Sequence, residues 1–176
     1  MGNAFDIRPY IMALVNVACI FILHTLNDFL SAWGVYVFAP VILVLVPSVY
    51  LKLWQLLLVA VFTGALSEAF LPVPAFSLIF MYAAASVFVK SQSFRFRSID
   101  NLGVFAVCAV VNTAMFVWAV LFFMPHSVSL AAYALRVFSD YLFSTLFLLW
   151  VAPYWYSFNK SLFMALKMEL SLDLHG

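Results

Sequence analysis

Few side chains in this sequence could do chemistry, and most of them sit inside apolar runs where a charge is costly to keep. Glu68 lies in the stretch 63–76, which ends one apolar run, turns around Pro72 and Pro74, and opens another. A carboxylate there costs several kcal/mol to desolvate, so within a membrane it faces the bundle interior or water and marks a functional or assembly site. Counting back from Glu68 along a helix reaches Gly64 and Ala60, the small-xxx-small spacing that lets two helices approach closely. His24 and Asp28 stand one turn apart on a first apolar stripe that also holds Ala13, Asn16, Ile20 and Asn27. Arg136 and Asp140 form a second i,i+4 pair, on a stripe continued by Ser144, and Asn112 falls near mid-depth of another run.

Three chemistries fit these groups. They can hydrogen-bond between helices and set packing, at about 1 kcal/mol or less each. They can line a pocket open to one face, for a small solute or a partner's transmembrane helix. Or His24, Asp28, Glu68 and Asp140 can hold a divalent ion or pass a proton, although their spacing over three helices matches no metal-ligand motif. We therefore expect neither a metal nor a cofactor. Enzyme signatures are absent: the chain has no His-Glu-x-x-His, no Gly-x-Ser-x-Gly, no phosphate-binding glycine loop and no dinucleotide fingerprint. The expectation is a protein that is not an enzyme.

The elements that must position these residues follow from composition. The chain is 68% hydrophobic and 9% charged, with a mean hydropathy of +1.14, against about 25% charged for a soluble domain. Its 20 Phe among 19% aromatics suit a lipid-facing surface. A net charge of +1 offers nothing to nucleic acid. Cys19 and Cys108 fall inside apolar runs and read as small apolar residues. Six runs approach the roughly 17–25 residues of a bilayer crossing: 10–30, 35–51, 53–71, 73–89, 99–123 and 134–158. The expected fold is an all-α integral membrane protein, a single six-transmembrane-helix bundle over 1–176 with a short cytoplasmic tail at 159–176. The first run lacks a small-x-small site and reads as an uncleaved span. Pro40 and Pro47 predict a kinked second helix.

Six crossings place Arg8, Lys52, Lys90, Arg95, Arg97, Lys160 and Lys167 on one side and only Arg136 near the other. That asymmetry predicts both termini in the cytoplasm, with His24, Asp28, Glu68, Arg136 and Asp140 in the outer half. The basic loop containing Lys90, Arg95 and Arg97 sets topology or touches anionic lipid or a partner. Residues 162–174 have near-helical apolar spacing, as in a short interfacial helix.

Three stretches carry a family resemblance. Phe38-Ala39-Pro40-Val41-Ile42-Leu43-Val44-Leu45 resembles the Pro-then-apolar opening of the second helix in the rod-shape-determining protein MreD family. Gly64-Ala65-Leu66-Ser67-Glu68 resembles that family's Gly-x-x-x-acid pattern, with Glu68 in place of the usual Asp and Pro72 and Pro74 in place of the glycines that follow it. The run from Arg136 through Ala152-Pro153 to Lys160 is similar to the family's closing helix. The resemblance implies a non-enzymatic inner-membrane scaffold of bacterial cell elongation. Its implied partners are MreC, the actin-like MreB and the lateral-wall glycosyltransferase and transpeptidase. The competing reading is the substrate-binding subunit of an energy-coupling-factor vitamin transporter, which is similar in size, span count and fold.

Overall fold

The computed structural model describes residues 6–71, 73–92, 101–123 and 129–165. Among these the chain is all-helical: α1 (Arg8–Ser31), α2 (Val41–Tyr50), α3 (Leu53–Phe70), α4 (Ser77–Gln92), α5 (Asn101–Phe123) and α6 (Leu130–Ala165). Three helical stretches are long and apolar enough to cross a membrane, Arg8–Ser31, Leu53–Phe70 and Ala131–Leu162. The core is built around α2, whose residues from Val41 to Ser48 are all buried.

The run expected to be one kinked helix over 35–51 is two things. Residues 35–39 are non-helical and only 41–50 form a helix, with Pro40 as its N-cap. The reason is local. Pro40 disfavours helical backbone at Ala39, and Val35-Tyr36-Val37-Phe38 is β-branched and aromatic throughout. Upstream, Gly34 adopts a left-handed φ of 69°. It closes α1 with the bonds Gly34 N–H to Ser31 O and Val35 N–H to Leu30 O, the pattern of a glycine-terminated helix end. A 10-residue helix reaches only about 15 Å. That is about half of a hydrocarbon core, with residues 35–39 leading into it as non-helical chain.

Three other boundaries move. The helix expected at 73–89 is Ser77–Gln92, which puts Lys90 in its last turn instead of in a loop. Arg95 and Arg97 lie outside the described residues. The sixth helix does not stop at 158: it runs from Leu130 to Ala165 through Pro153 and takes up the start of the expected tail. Its C-terminal half packs on α2, where the Trp155 indole N–H bonds Ile42 O at 3.1 Å and Tyr50 and Tyr156 meet hydroxyl to hydroxyl at 3.0 Å. An interfacial helix over 162–174 falls mostly outside the described residues.

These contacts define two ends of the bundle. At one, Tyr50 meets Tyr156, the Lys90 ammonium donates to Leu51 O at 2.8 Å, and the Gln55 amide donates to Asp6 at 2.9 Å. Arg8, Lys52, Lys90 and Lys160 gather there. At the other end Tyr36 meets Asp140 and His24 meets Phe70.

Candidate functional site: polar anchors and a cavity at the Tyr36 end

The non-helical run has backbone donors and acceptors that a helix would have paired internally. In an apolar interior each must find another partner. Side chains from three helices supply them. From α1, Asn27 embraces Val37: its Oδ1 accepts the Val37 N–H at 2.7 Å and its Nδ2 donates to Val37 O at 2.9 Å. From α6, Asp140 Oδ1 accepts the Tyr36 N–H at 2.9 Å and Ser144 Oγ accepts the Phe38 N–H at 2.8 Å. From α5, Asn112 Nδ2 reaches Phe38 O at 3.5 Å. One turn into α2, Asn16 donates to Leu43 O at 3.0 Å and to Thr63 Oγ1 at 2.9 Å, joining α1, α2 and α3. Val37 and Ala39 are 5% and 2% exposed, so water does not compete.

Glu68 does a similar job at the next turn. Its Oε2 accepts the Phe76 N–H at 3.0 Å, and its Oε1 accepts those of Leu78 at 2.8 Å and Ile79 at 3.1 Å. The carboxylate thus caps the N-terminus of α4, where free N–H groups and the helix dipole favour negative charge. It also holds Phe76, a non-glycine residue at a left-handed φ of 67°. One turn earlier, a Cβ on Gly64 would lie 2.6 Å from Ile79 Cα, so only glycine admits α4 this close. Ala60, another turn back, is buried on the same face. Ala60, Gly64 and Glu68 therefore act as one unit that clamps α3 to α4.

The remaining nominated residues are held more loosely. Arg136 Nε stands 3.8 Å from Asp140 Oδ2, and its side chain is 62% exposed against 14% for Asp140. Asp140 is thus fixed mainly by the Tyr36 N–H. His24 Nε2 and Asp28 Oδ2 are 3.9 Å apart on the rim of α1, with Asp28 71% exposed, and the His24 ring leans on Phe70 with centroids 5.0 Å apart. Asp28 points away from the bundle, whereas His24 is half-buried and lines a small pocket with Ile20, Asn27, Tyr36 and Phe70. His24–Asp28, the Glu68 clamp and Arg136–Asp140 form three separate groups at one end. Among the described residues no three His, Cys, Asp or Glu side chains converge as metal ligands.

Between α5, α6 and residues 35–39 lies a cavity of about 320 Å³. Phe38, Leu71, Phe116, Ala119, Val120 and Val137 give it apolar walls, and Tyr36, Tyr133, Arg136 and Asp140 supply its polar groups. Tyr133 donates its hydroxyl to Val120 O at 3.2 Å, which ties α6 to α5 beside the cavity. Asn112 is 1% exposed and its Oδ1 has no partner among the described residues.

Sequence reasoning singled out the charged members and undervalued Asn27 and Ser144, which make the shorter bonds. The available signal was paired: small polar residues on inward helix positions, opposite a β-branched run ending in Ala39-Pro40. Away from the membrane-spanning segments, Asp6 is held down to about 2, first by the Arg8 side chain at 2.9 Å and also by the Gln55 amide, against the opposing effect of partial burial. Comparison with protein-family models, with curated proteins and with solved structures gave no match for this chain.

Proposed function

We propose that this chain is a non-enzymatic, multi-pass inner-membrane scaffold of the bacterial cell-elongation machinery, similar to MreD. It crosses the membrane six times with both termini in the cytoplasm, and binds MreC, MreB and the lateral-wall glycosyltransferase and transpeptidase. The observation that carries this reading is where the intramembrane polar groups are spent. Asn16, Asn27, Asp140 and Ser144 bond the broken second crossing, and Glu68 bonds the start of α4. Each of these bonds is made to the protein's own backbone. The stretches that resemble MreD coincide with these points: Pro40 opens α2, Gly64 and Glu68 form the clamp, and Arg136 begins the α6 contact. The gathering of Arg8, Lys52, Lys90 and Lys160 at the Tyr50 end supports the orientation through the positive-inside rule.

A mild-detergent pull-down from native membranes tests the proposal. Recovery of MreC with lateral-wall synthases is the expected result. The cavity beside Arg136 favours a second reading, the substrate-binding subunit of an energy-coupling-factor transporter. Recovery of an ATPase pair with a membrane coupling subunit would replace the scaffold with that reading.

A further inference from the structure

We propose that the cavity between α5, α6 and residues 35–39 binds one amphiphile, with an acyl chain among the apolar walls and a phosphate or carboxylate head on Arg136. The inference stands apart from the scaffold reading, since it concerns a ligand and not a protein partner. Its first support is size. A volume of about 320 Å³ lies at the lower end of small-molecule pockets and holds about ten water-sized groups, enough for roughly ten chain carbons. Its second support is the lining. Phe38, Leu71, Phe116 and Val137 offer no hydrogen bond to a polar solute, and the Tyr133 hydroxyl is committed to Val120 O.

The third support is the head-binding group. Arg136 carries five N–H donors in a planar fork. Among the described residues it meets only Asp140, at 3.8 Å through Nε, and its side chain is mostly exposed. Its outer edge is therefore open to a bidentate oxyanion. Asp140 faces the guanidinium only through Oδ2, at 3.8 Å from Nε, and gives its Oδ1 to the Tyr36 N–H, so the terminal nitrogens of Arg136 keep their donors. Depth agrees as well. Arg136 lies about 9 Å along α6 from Leu130, near the end of the helix where headgroups reside.

The test is native mass spectrometry of the purified protein, titrated with dodecyl phosphate, dodecanol or inorganic phosphate from a short-chain non-ionic detergent. The wild type is expected to hold one dodecyl phosphate, with dodecanol and inorganic phosphate each bound at least tenfold more weakly. Arg136→Gln removes the charge-assisted bonds and should weaken dodecyl phosphate binding by about tenfold to a hundredfold, while Arg136→Lys retains part of it. Ala119→Phe fills the cavity and should abolish the one-to-one adduct with Arg136 intact. Size-exclusion profiles and thermal midpoints of each variant confirm that it is folded. Displacement of dodecyl phosphate by phosphatidylglycerol identifies a bilayer lipid as the source of the head, and resistance to it identifies a single-chain amphiphile. Equal adducts in wild type, Arg136→Gln and Ala119→Phe would overturn the proposal, as would equal affinity for dodecanol.

Discussion

Glu68 offers the sharpest test of how this bundle is held. Its carboxylate receives three N–H groups, at 3.0, 2.8 and 3.1 Å, at the start of α4. Replacing it with leucine removes both acceptor oxygens and with them all three bonds. A capping side chain contributes about 1 kcal/mol, and a negative charge at a helix N-terminus adds about 0.3–1 kcal/mol. The Leu78 and Ile79 N–H groups are half-buried, so leaving them unpaired costs about 1 kcal/mol more, at the low end of the usual penalty. The sum for Glu68→Leu is about 3 kcal/mol. Glu68→Gln keeps one oxygen for Leu78 and Ile79 but loses the charge and the Phe76 bond, so its loss should be about 1 kcal/mol. Reversible unfolding in mixed dodecyl maltoside and dodecyl sulfate micelles, followed by circular dichroism, measures both. An unchanged unfolding midpoint for Glu68→Leu would refute the clamp. The same pair of variants bears on partner binding: if Glu68→Gln keeps both fold and partners, the residue acts through the architecture of the α3–α4 hairpin.

Other expectations follow from the same bonds. Gly64→Ala places a methyl 2.6 Å from Ile79 Cα and should cost about 1–3 kcal/mol in the same unfolding assay, with α4 forced outward. Asn27→Leu strips Val37 of both its donor and its acceptor partner and should cost about 2–4 kcal/mol, read as a lowered thermal midpoint in detergent. Arg136→Ala should change stability by less than about 1 kcal/mol, because the pair is long and Arg136 is largely solvated, whereas Asp140→Ala should cost about 1–3 kcal/mol through the Tyr36 N–H. Asp6 has a folded pKa of about 2 against 3.8 for the free side chain. Its contribution is therefore fully present above about pH 4 and is lost as pH falls through about 2. After discounting for solvent that is about 1 kcal/mol, visible as faster amide exchange at the start of α1 below pH 4 and absent in Asp6→Asn.

How much of this was legible beforehand depended on whether a residue's partner was local. Helix type was readable for α1, α3, α5 and α6, because each is a long apolar run without an interior break before Pro153. The clamp was half readable: Ala60, Gly64 and Glu68 share a face by counting. That Glu68 points to the N-terminus of the next helix depended on the geometry of the turn. The break at 35–39 was not readable because hydropathy is blind to backbone conformation, and 35–51 is equally apolar whether helical or not. What decides it is the side-chain partners, and Tyr36 finds Asp140 at a separation of 104 residues. Charged residues drew attention by type, yet Asn27 makes two bonds to Val37 where Asp140 makes one to Tyr36, since a neutral amide can both donate and accept while losing less hydration.

That same run has a consequence for how the protein is made. The donors of Tyr36 and Phe38 are satisfied by Asp140 and Ser144, residues synthesised more than 100 positions later. At a ribosomal pace of about 5–20 residues per second, roughly 5–20 seconds pass between the emergence of a donor and that of its acceptor. During that interval the Tyr36 and Phe38 N–H groups must find other partners, within their own segment or in water. The non-helical form of residues 35–39 is therefore completed only once α6 is in place. A chain that stops before α6 lacks both of those acceptors.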